Sequence, residues 1–419
     1  MANNSADLIL SAGQVVTCGD GSRPRPGSKM EDLGIISNGA VVIKDGLIAA
    51  VGSKDEILKN WSGVHRDFPN QCLTPGLVDP HCHPIFGGSR VKEFYMRAQG
   101  ASYQQIHDAG GGIFSTVRAT RQASDAELLT SCVKRMQRAL DHGTTTLEAK
   151  SGYGLSLAEE LRELELIDLA SEQTELDVVA TFLGAHAIDP DYSQRRTEFV
   201  ELICKEMVPA VAAQGIAKFG DVFCEEGAFT REESQQVLQA CKDAGLGLRI
   251  HAEEFTYQGG ARMAAELGAT SCDHLQFLPE SDFEVLRKNG TIPVMTAGTS
   301  FFLGMKQFAP AKAMIEADLP VALGTDFNAG SNLSISMPMA MYLVISQMKL
   351  SPAQSLIAAT VNAAHSLKVG HLVGSLEVGK QADVLVVDVE NIEEWPYQYG
   401  VNLVQAVYKR GRLAKRVIR

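Results

Sequence analysis

The chain has 419 residues, 45% of them hydrophobic, and 50 acidic against 38 basic side chains give a formal net charge of -12. That is enough apolar material for more than one compact unit, and the acidic balance excludes the electrostatic footprint of a nucleic-acid or anionic-membrane binder. No run of eighteen apolar residues and no basic, apolar leader is present, so neither a membrane span nor a secretory signal is expected.

Eight scattered cysteines without a Cys-x-x-Cys pair fit reduced thiols and a cytoplasmic setting. From about residue 7 to 70 the chain reads as short strands: 7–10, 14–18, 39–43 and 47–52, the last two joined by the hairpin signal Asp45-Gly46. Residues 382–388 and 401–408 have the same character. The expected arrangement is a small β-sandwich domain built from both termini, 1–72 and 366–419, with residues 73–365 inserted as a separate domain.

That insert opens with Leu73-Thr74-Pro75-Gly76-Leu77-Val78-Asp79-Pro80-His81-Cys82-His83. Leu77-Val78 reads as the end of a buried strand. His81 and His83, two apart on an extended chain, point the same way and form half of a metal site. Cys82 points away from them and reads as packing. Beyond this stretch, apolar runs at 145–147, 178–183, 246–250, 291–295 and 320–323 alternate with helices. Capping boxes mark the helix starts at Ser124/Glu127, Ser156/Glu159, Thr230/Glu233, Ser281/Glu284 and Ser351/Gln354, the last with Pro352 at the first helical position. Such alternation predicts an α/β fold, and a closed (β/α)8 TIM-type barrel is favoured because no Gly-x-Gly-x-x-Gly turn follows the first strand.

In that barrel the chemistry sits at the C-terminal strand ends. Five histidines fall there: His81, His83, His186, His251 and His274. The other five, His65, His107, His142, His365 and His371, sit in loops or helical runs. Asp326 ends the last apolar run, with Asn328 two residues on. His81, His83, His251 and Asp326 make a ligand set suited to one divalent metal, Zn2+ or Fe2+, which would activate water at neutral pH. Glu254, three residues after His251, is placed to move a proton between water and leaving group. His274 is placed to orient or polarise the attacked carbonyl. Lys150 is the nearest candidate for a carboxylated bridge between two metals, and its position does not clearly suggest one.

Pro75-Gly76-Leu77-Val78-Asp79 with His81-x-His83, His251-x-x-Glu254, His274 and Asp326 resembles the amidohydrolase superfamily, as does the tail Gly374-Ser375-Leu376-Glu377-Val378-Gly379-Lys380-Gln381-Ala382-Asp383. Phe86-Gly87-Gly88-Ser89-Arg90, Gln99-Gly100-Ala101-Ser102-Tyr103, the segment 109–120 that begins Ala109-Gly110-Gly111-Gly112, and Lys150-Ser151-Gly152-Tyr153-Gly154-Leu155 narrow the likeness to its ring-opening cyclic amidases. Phe182-Leu183-Gly184-Ala185-His186 and Asp221-Val222-Phe223-Cys224-Glu225 continue it.

The resemblance implies hydrolysis of imidazolone-5-propanoate to N-formimino-L-glutamate in histidine degradation. It implies that His81, His83, His251 and Asp326 hold the metal. Arg90, Tyr103 and Tyr153 would hold the propionate or the open chain. His186 would contact the substrate, Glu254 the ring nitrogen, and Asn328, Gly330 and Ser331 would line the pocket. Catalysis would then rest on Glu254, His274 and Asp326. The implied partner is a small anionic heterocycle, with no nucleic acid or membrane, and the implied assembly is a homodimer.

An acidic protein needs a dedicated cation for a carboxylate substrate, and the Arg90 fork can take both oxygens. Tyr153, between Gly152 and Gly154, reads as a hydroxyl presented by a tight loop. The seventh strand end departs from the family pattern: Thr296 and Thr299 bring hydroxyls to the expected pocket wall. The alternatives left open are a related amidohydrolase acting on another heterocycle and a non-catalytic barrel scaffold.

Overall fold

Eight parallel strands follow one another around the barrel in sequence order: Leu77–Asp79, Thr144–Lys150, Asp177–Ala185, Phe219–Cys224, a fifth in two pieces (Gly247–Leu248 and His251–Ala252), Ser271–His274, Ile292–Met295 and Ala322–Leu323. The computed structural model describes residues 4–101, 105 and 110–416, so Tyr103 and His107 lie outside the described residues. Closure between the eighth and first strands happens at the mouth. There Cys82 bridges Phe327, the Asp326 N–H donates to His81 O at 2.9 Å and the His83 N–H donates to Phe327 O at 2.8 Å. Lower down, the Val78 N–H donates to Ala359 O, from the residue that follows the helix Pro352–Ala358. The seam that closes the barrel is therefore the seam that carries His81, His83 and Asp326.

Both chain ends meet in one seven-stranded sheet, with Asn4–Val16, Ile35–Lys44, Leu47–Ser53 and Trp61–Pro75 on one side and Val384–Val387, Val404–Lys409 and Arg412–Arg416 on the other. The expected sandwich is realised by this sheet curling on itself. Leu8, Leu10, Val41, Ile43 and Ile48 join Val384, Val386, Ala406 and Tyr408 in one apolar cluster. The Asp45-Gly46 turn has φ of 52° and 76°, the left-handed pair that a two-residue hairpin needs. All eight cysteines are free thiols. Among the described residues no helix is long and apolar enough to cross a membrane.

The capping boxes form at Ser124/Glu127, Thr230/Glu233 and Ser351/Gln354. Two do not form. Ser156 does precede the helix Leu157–Ser171, but its side chain caps nothing. Instead Glu160 and Glu163, one turn further in, accept backbone N–H groups from the loop before it. At Ser281 a tight turn over Glu280–Asp282 follows Pro279, which moves the cap to Asp282 and leaves Glu284 to pair with Arg287.

Candidate metal centre and active site

Asp79 ends the first strand and accepts from the Thr325 N–H at 3.0 Å, the Thr325 hydroxyl and the His81 N–H. It thereby ties the segment before the two histidines to the segment before Asp326. His81 Nδ1 donates to Asp273 Oδ2 at 2.7 Å, and His251 Nδ1 donates to Asp221 at 3.1 Å. Each bond places the proton on Nδ1 and leaves Nε2 as a lone pair.

Those lone pairs converge. His83 Nε2 lies 3.4 Å from both His81 Nε2 and His251 Nε2, and Asp326 Oδ1 lies 3.4 Å from His81 Nε2 and 3.6 Å from His83 Nε2. Nitrogen and oxygen ligands about 2.1 Å from a common tetrahedral centre stand about 3.4 Å apart, so His81, His83 and Asp326 fit a single divalent ion, with His251 beside them through His83. Burial, then the charge of neighbouring groups, pushes His81 and His83 well below the usual imidazole value. They are neutral at pH 7, the form that binds metal.

His274 joins the rim of this cluster, its ligand atom within 4.8 Å of those of His81 and His251. Its Nδ1 is 2.9 Å from the Thr296 hydroxyl and 3.8 Å from Glu254 Oε1, while its buried Nε2 has no partner among the described residues. Thr299 donates to Asp326 Oδ2. The two threonines that depart from the family pattern thus hold a candidate catalytic group and a candidate ligand. Glu254 is buried, and burial followed by Asp326 and Glu225 raises its pKa well above the usual carboxylate range. Burial likewise lifts Asp326, to about 6. Asp326 and His274 adopt φ of 49° and 80°, left-handed values that non-glycine residues hold only when the surroundings enforce them.

The candidate cation for a substrate carboxylate is Arg90. Arg90 follows the first strand end and precedes the helix Val91–Ala98. Its Nε and one terminal nitrogen are paired with the buried Glu93 at 2.8–3.0 Å, and Glu93 Oε1 also accepts from the Gly112 N–H. The guanidinium lies over Gly330, where an added Cβ would come within 1.8 Å of Nη1, so only glycine leaves it room.

Tyr153 is 3% exposed, its ring 6.2 Å from His83 and 5.3 Å from His186. His186 stacks on His83 at 5.4 Å and donates from Nδ1 to Gly152 O at 3.0 Å. Asn328 is fully engaged. Its amide donates to Asp326 and its oxygen accepts from the Gly330 and Ser331 N–H groups. It orders the loop behind the carboxylate, with Ser331 bonded to it. An open cavity of about 520 Å³ lies elsewhere, between Arg135, Arg138, Phe327, Trp395 and Tyr399. It contains none of the donors above, so the chemistry is assigned by donor geometry.

The residues that sequence reading passed over are mostly acids: Asp221, Asp273, Glu93, and Glu225, which accepts from the Glu254, Phe255 and Thr256 N–H groups. An Asp inside the apolar run Phe219–Cys224 was the available signal, since a carboxylate is rarely buried without a partner.

The model of the amidohydrolase family matches residues 72–414. The imidazolonepropionase of Geobacillus kaustophilus (strain HTA426) is 44% identical over 412 residues, covering 97% of each chain. That of Symbiobacterium thermophilum is 45% identical over 411 residues, 97% of this chain and 96% of its own. Among solved structures, a zinc-bound adenosine deaminase from Xanthomonas campestris superposes with a TM-score of 0.70 at 19% identity, covering 100% of this chain and 95% of that one, a likeness of fold. With the ligand geometry in place and relatives this similar along nearly their whole length, the chain belongs to the amidohydrolase family and, within it, to the imidazolonepropionases.

Proposed function

We propose that the chain is a metal-dependent cyclic amidase that opens the ring of 4-imidazolone-5-propanoate with one water to give N-formimino-L-glutamate, a step of histidine degradation. The observation that carries this reading is the convergence of His81, His83 and Asp326 at 3.4–3.6 Å separations, with His251 Nε2 3.4 Å from His83 Nε2, beside Glu254 and His274. A divalent ion held there, Zn2+ or Fe2+, would supply Lewis-acid activation of water and of the ring carbonyl.

The protein's own groups do the rest. Glu254 takes a proton from the attacking water and returns it to the ring nitrogen as the carbon–nitrogen bond breaks, so the water oxygen ends in the new carboxylate. With the Thr296 hydroxyl donating to Nδ1, His274 carries its proton on Nε2 and donates a hydrogen bond from it to the developing oxyanion, a contribution of about 3–4 kcal/mol. The propionate is received by the outer edge of Arg90, with Tyr153 and Tyr103. His186, its Nδ1 proton committed to Gly152, offers Nε2 as an acceptor for a ring N–H. The reading includes a cytoplasmic homodimer that binds no nucleic acid, which sedimentation and a nucleic-acid binding assay would check.

The direct test uses freshly generated imidazolonepropanoate and protein of known metal content. Loss of the substrate absorbance with equimolar formiminoglutamate is expected. Ammonia release without a ring-opened product would favour a deaminase acting on another heterocycle.

A further inference from the structure

Beneath the ligand cluster lies a set of charges with no contact to any candidate substrate group. Lys150, at the end of the second strand, is fully buried with Nζ 2.7 Å from Asp221 Oδ2 and 2.9 Å from Glu148 Oε2. Arg249, in the break of the fifth strand, is fully buried with one terminal nitrogen 3.0 Å from Asp273 Oδ2 and 2.7 Å from Pro80 O, and Nε 2.9 Å from Glu148 Oε1. Glu148 therefore joins the two cations. Asp221 is the carboxylate that holds His251, and Asp273 the one that holds His81.

We propose that Lys150 and Arg249 are positioning residues for the metal, acting through Lys150–Asp221–His251 and Arg249–Asp273–His81. Each cation occupies acceptor capacity on a carboxylate and fixes its plane. The remaining direction then accepts only from imidazole Nδ1, and Nε2 is aimed at the metal. Arg249 grips His81 twice, through Asp273 and through the carbonyl of Pro80 just before it. His83 is the contrast: its Nδ1 is buried without a partner among the described residues, so nothing comparable holds it.

Two further points support the assignment. Buried ion pairs are costly against apolar side chains of equal volume, so a lattice of them at the centre of a barrel needs a purpose other than stability. And the two cations each contact a carboxylate that in turn holds a different histidine, so both arms of the cluster are braced in the same way.

The same geometry answers what Lys150 is. Burial works to lower its pKa, but Asp221 and Glu148 more than offset it and hold the ammonium form. A carbamate at Nζ would place an anion against two carboxylates. Lys150 is thus a cation of a one-metal site rather than a bridge in a two-metal site.

The inference rests on the metal-centre reading, and the experiment separates the two. Wild-type protein, Lys150→Met, Lys150→Arg and Arg249→Lys are compared by metal release to a competing chelator, by the visible spectrum of the Co2+-loaded form and by circular dichroism. Wild-type protein is expected to hold one metal per chain; no metal would sink the site reading itself, and two per chain would overturn the ammonium assignment. Lys150→Met is expected to fold and to bind metal 10- to 100-fold more weakly, with an altered Co2+ spectrum, while Lys150→Arg recovers most of the affinity. Wild-type affinity and spectrum in Lys150→Met overturn the inference, as does an equal loss in both Lys150 variants. Should Lys150→Met not fold, Arg249→Lys decides. It keeps the charge but cannot reach Asp273, Pro80 and Glu148 together, so its Co2+ spectrum must shift, and an unchanged spectrum overturns the inference.

Discussion

The barrel mouth and the terminal sheet bury their interiors in opposite ways. Between the layers of the curled sheet lie Leu8, Leu10, Val41, Ile43, Ile48, Val384 and Val386, held by apolar area and dispersion alone. Beneath the mouth, Glu148, Lys150, Asp221, Arg249 and Asp273 are equally dry, each 0% exposed, and are held by ion pairs. The backbone differs too. The sheet has positive φ at the Asp45-Gly46 turn and at Asn38 within Ile35–Lys44, whereas the mouth places it on the site residues Asp326 and His274 and on Glu253 beside Glu254. An apolar interior is the more stable solution for the volume it fills. The sheet departs from it at the buried pair Lys409–Asp383, the barrel over five charged side chains, and there the chain gives up stability to fix the directions of a few donors.

Replacements in the two regions should therefore fail differently. The largest effect is expected at the mouth: Glu254→Gln should lower kcat by about 10²- to 10⁴-fold with metal content near normal, because the carboxylate is placed for proton transfer and is not a ligand. Unchanged turnover at full metal loading would remove Glu254 from that role. Next comes the sheet. Leu10→Ala, at a fully buried position, should cost about 2–5 kcal/mol in the sheet's unfolding transition, with kcat and metal content of the folded enzyme untouched. A fall in kcat there would mean that the two interiors are coupled. Arg90→Met should raise KM for the propionate-bearing substrate by about 10- to 100-fold, the worth of one charge-assisted hydrogen bond, with a smaller change in kcat. An unmoved KM would place the carboxylate elsewhere.

The same contrast explains what could be read from the chain. His81, His83, His251 and Asp326 were legible because each ends an apolar run, and strand ends in a barrel share one face. Their supports were not. Asp221 and Asp273 are single acids in short strands, and nothing local says that an imidazole from another strand meets them. Arg249 sits between the two pieces of the fifth strand, and its side-chain partners Ser366, Pro80 and Asp273 are all remote in sequence. In the sheet, the hairpin at Asp45-Gly46 was legible from its turn chemistry. The strand Trp61–Pro75 was not, because most of it is exposed, polar and interrupted by Pro69. Its pairing to Asn4–Val16 is parallel, with register shifts between Ser5 and Leu8 and between Ala12 and Gln14. The boxes at Ser156 and Ser281 were local signals overruled by neighbours: Glu160 and Glu163 answer to the loop carrying Tyr153, and Pro279 starts the chain turning early.

The smallest effect tests the comparison from a solvent-exposed charge of the sheet, Asp67. Asp67 accepts from Lys54 Nζ at 2.6 Å and from the Ser11 hydroxyl at 2.6 Å, and these two partners, Lys54 first, hold its pKa below the ordinary value of 3.8. The side chain is 38% exposed, so solvent screens the pair and its worth is about 1 kcal/mol or less. A carboxyl depressed in the folded state stabilises above its unfolded pKa, and the contribution is lost as pH falls through the folded one. Asp67→Asn should therefore lower stability slightly at pH 7, and the gap from wild type should shrink as pH drops below about 4. Denaturant midpoints across pH measure it, and added salt should narrow the gap at pH 7 as well. The Leu10→Ala deficit, being apolar, should follow neither pH nor salt. An Asp67 effect as large as that of Leu10, or one that persists unchanged in acid, would mean that charge matters as much to the sheet as to the barrel, and the division drawn between the two regions would fail.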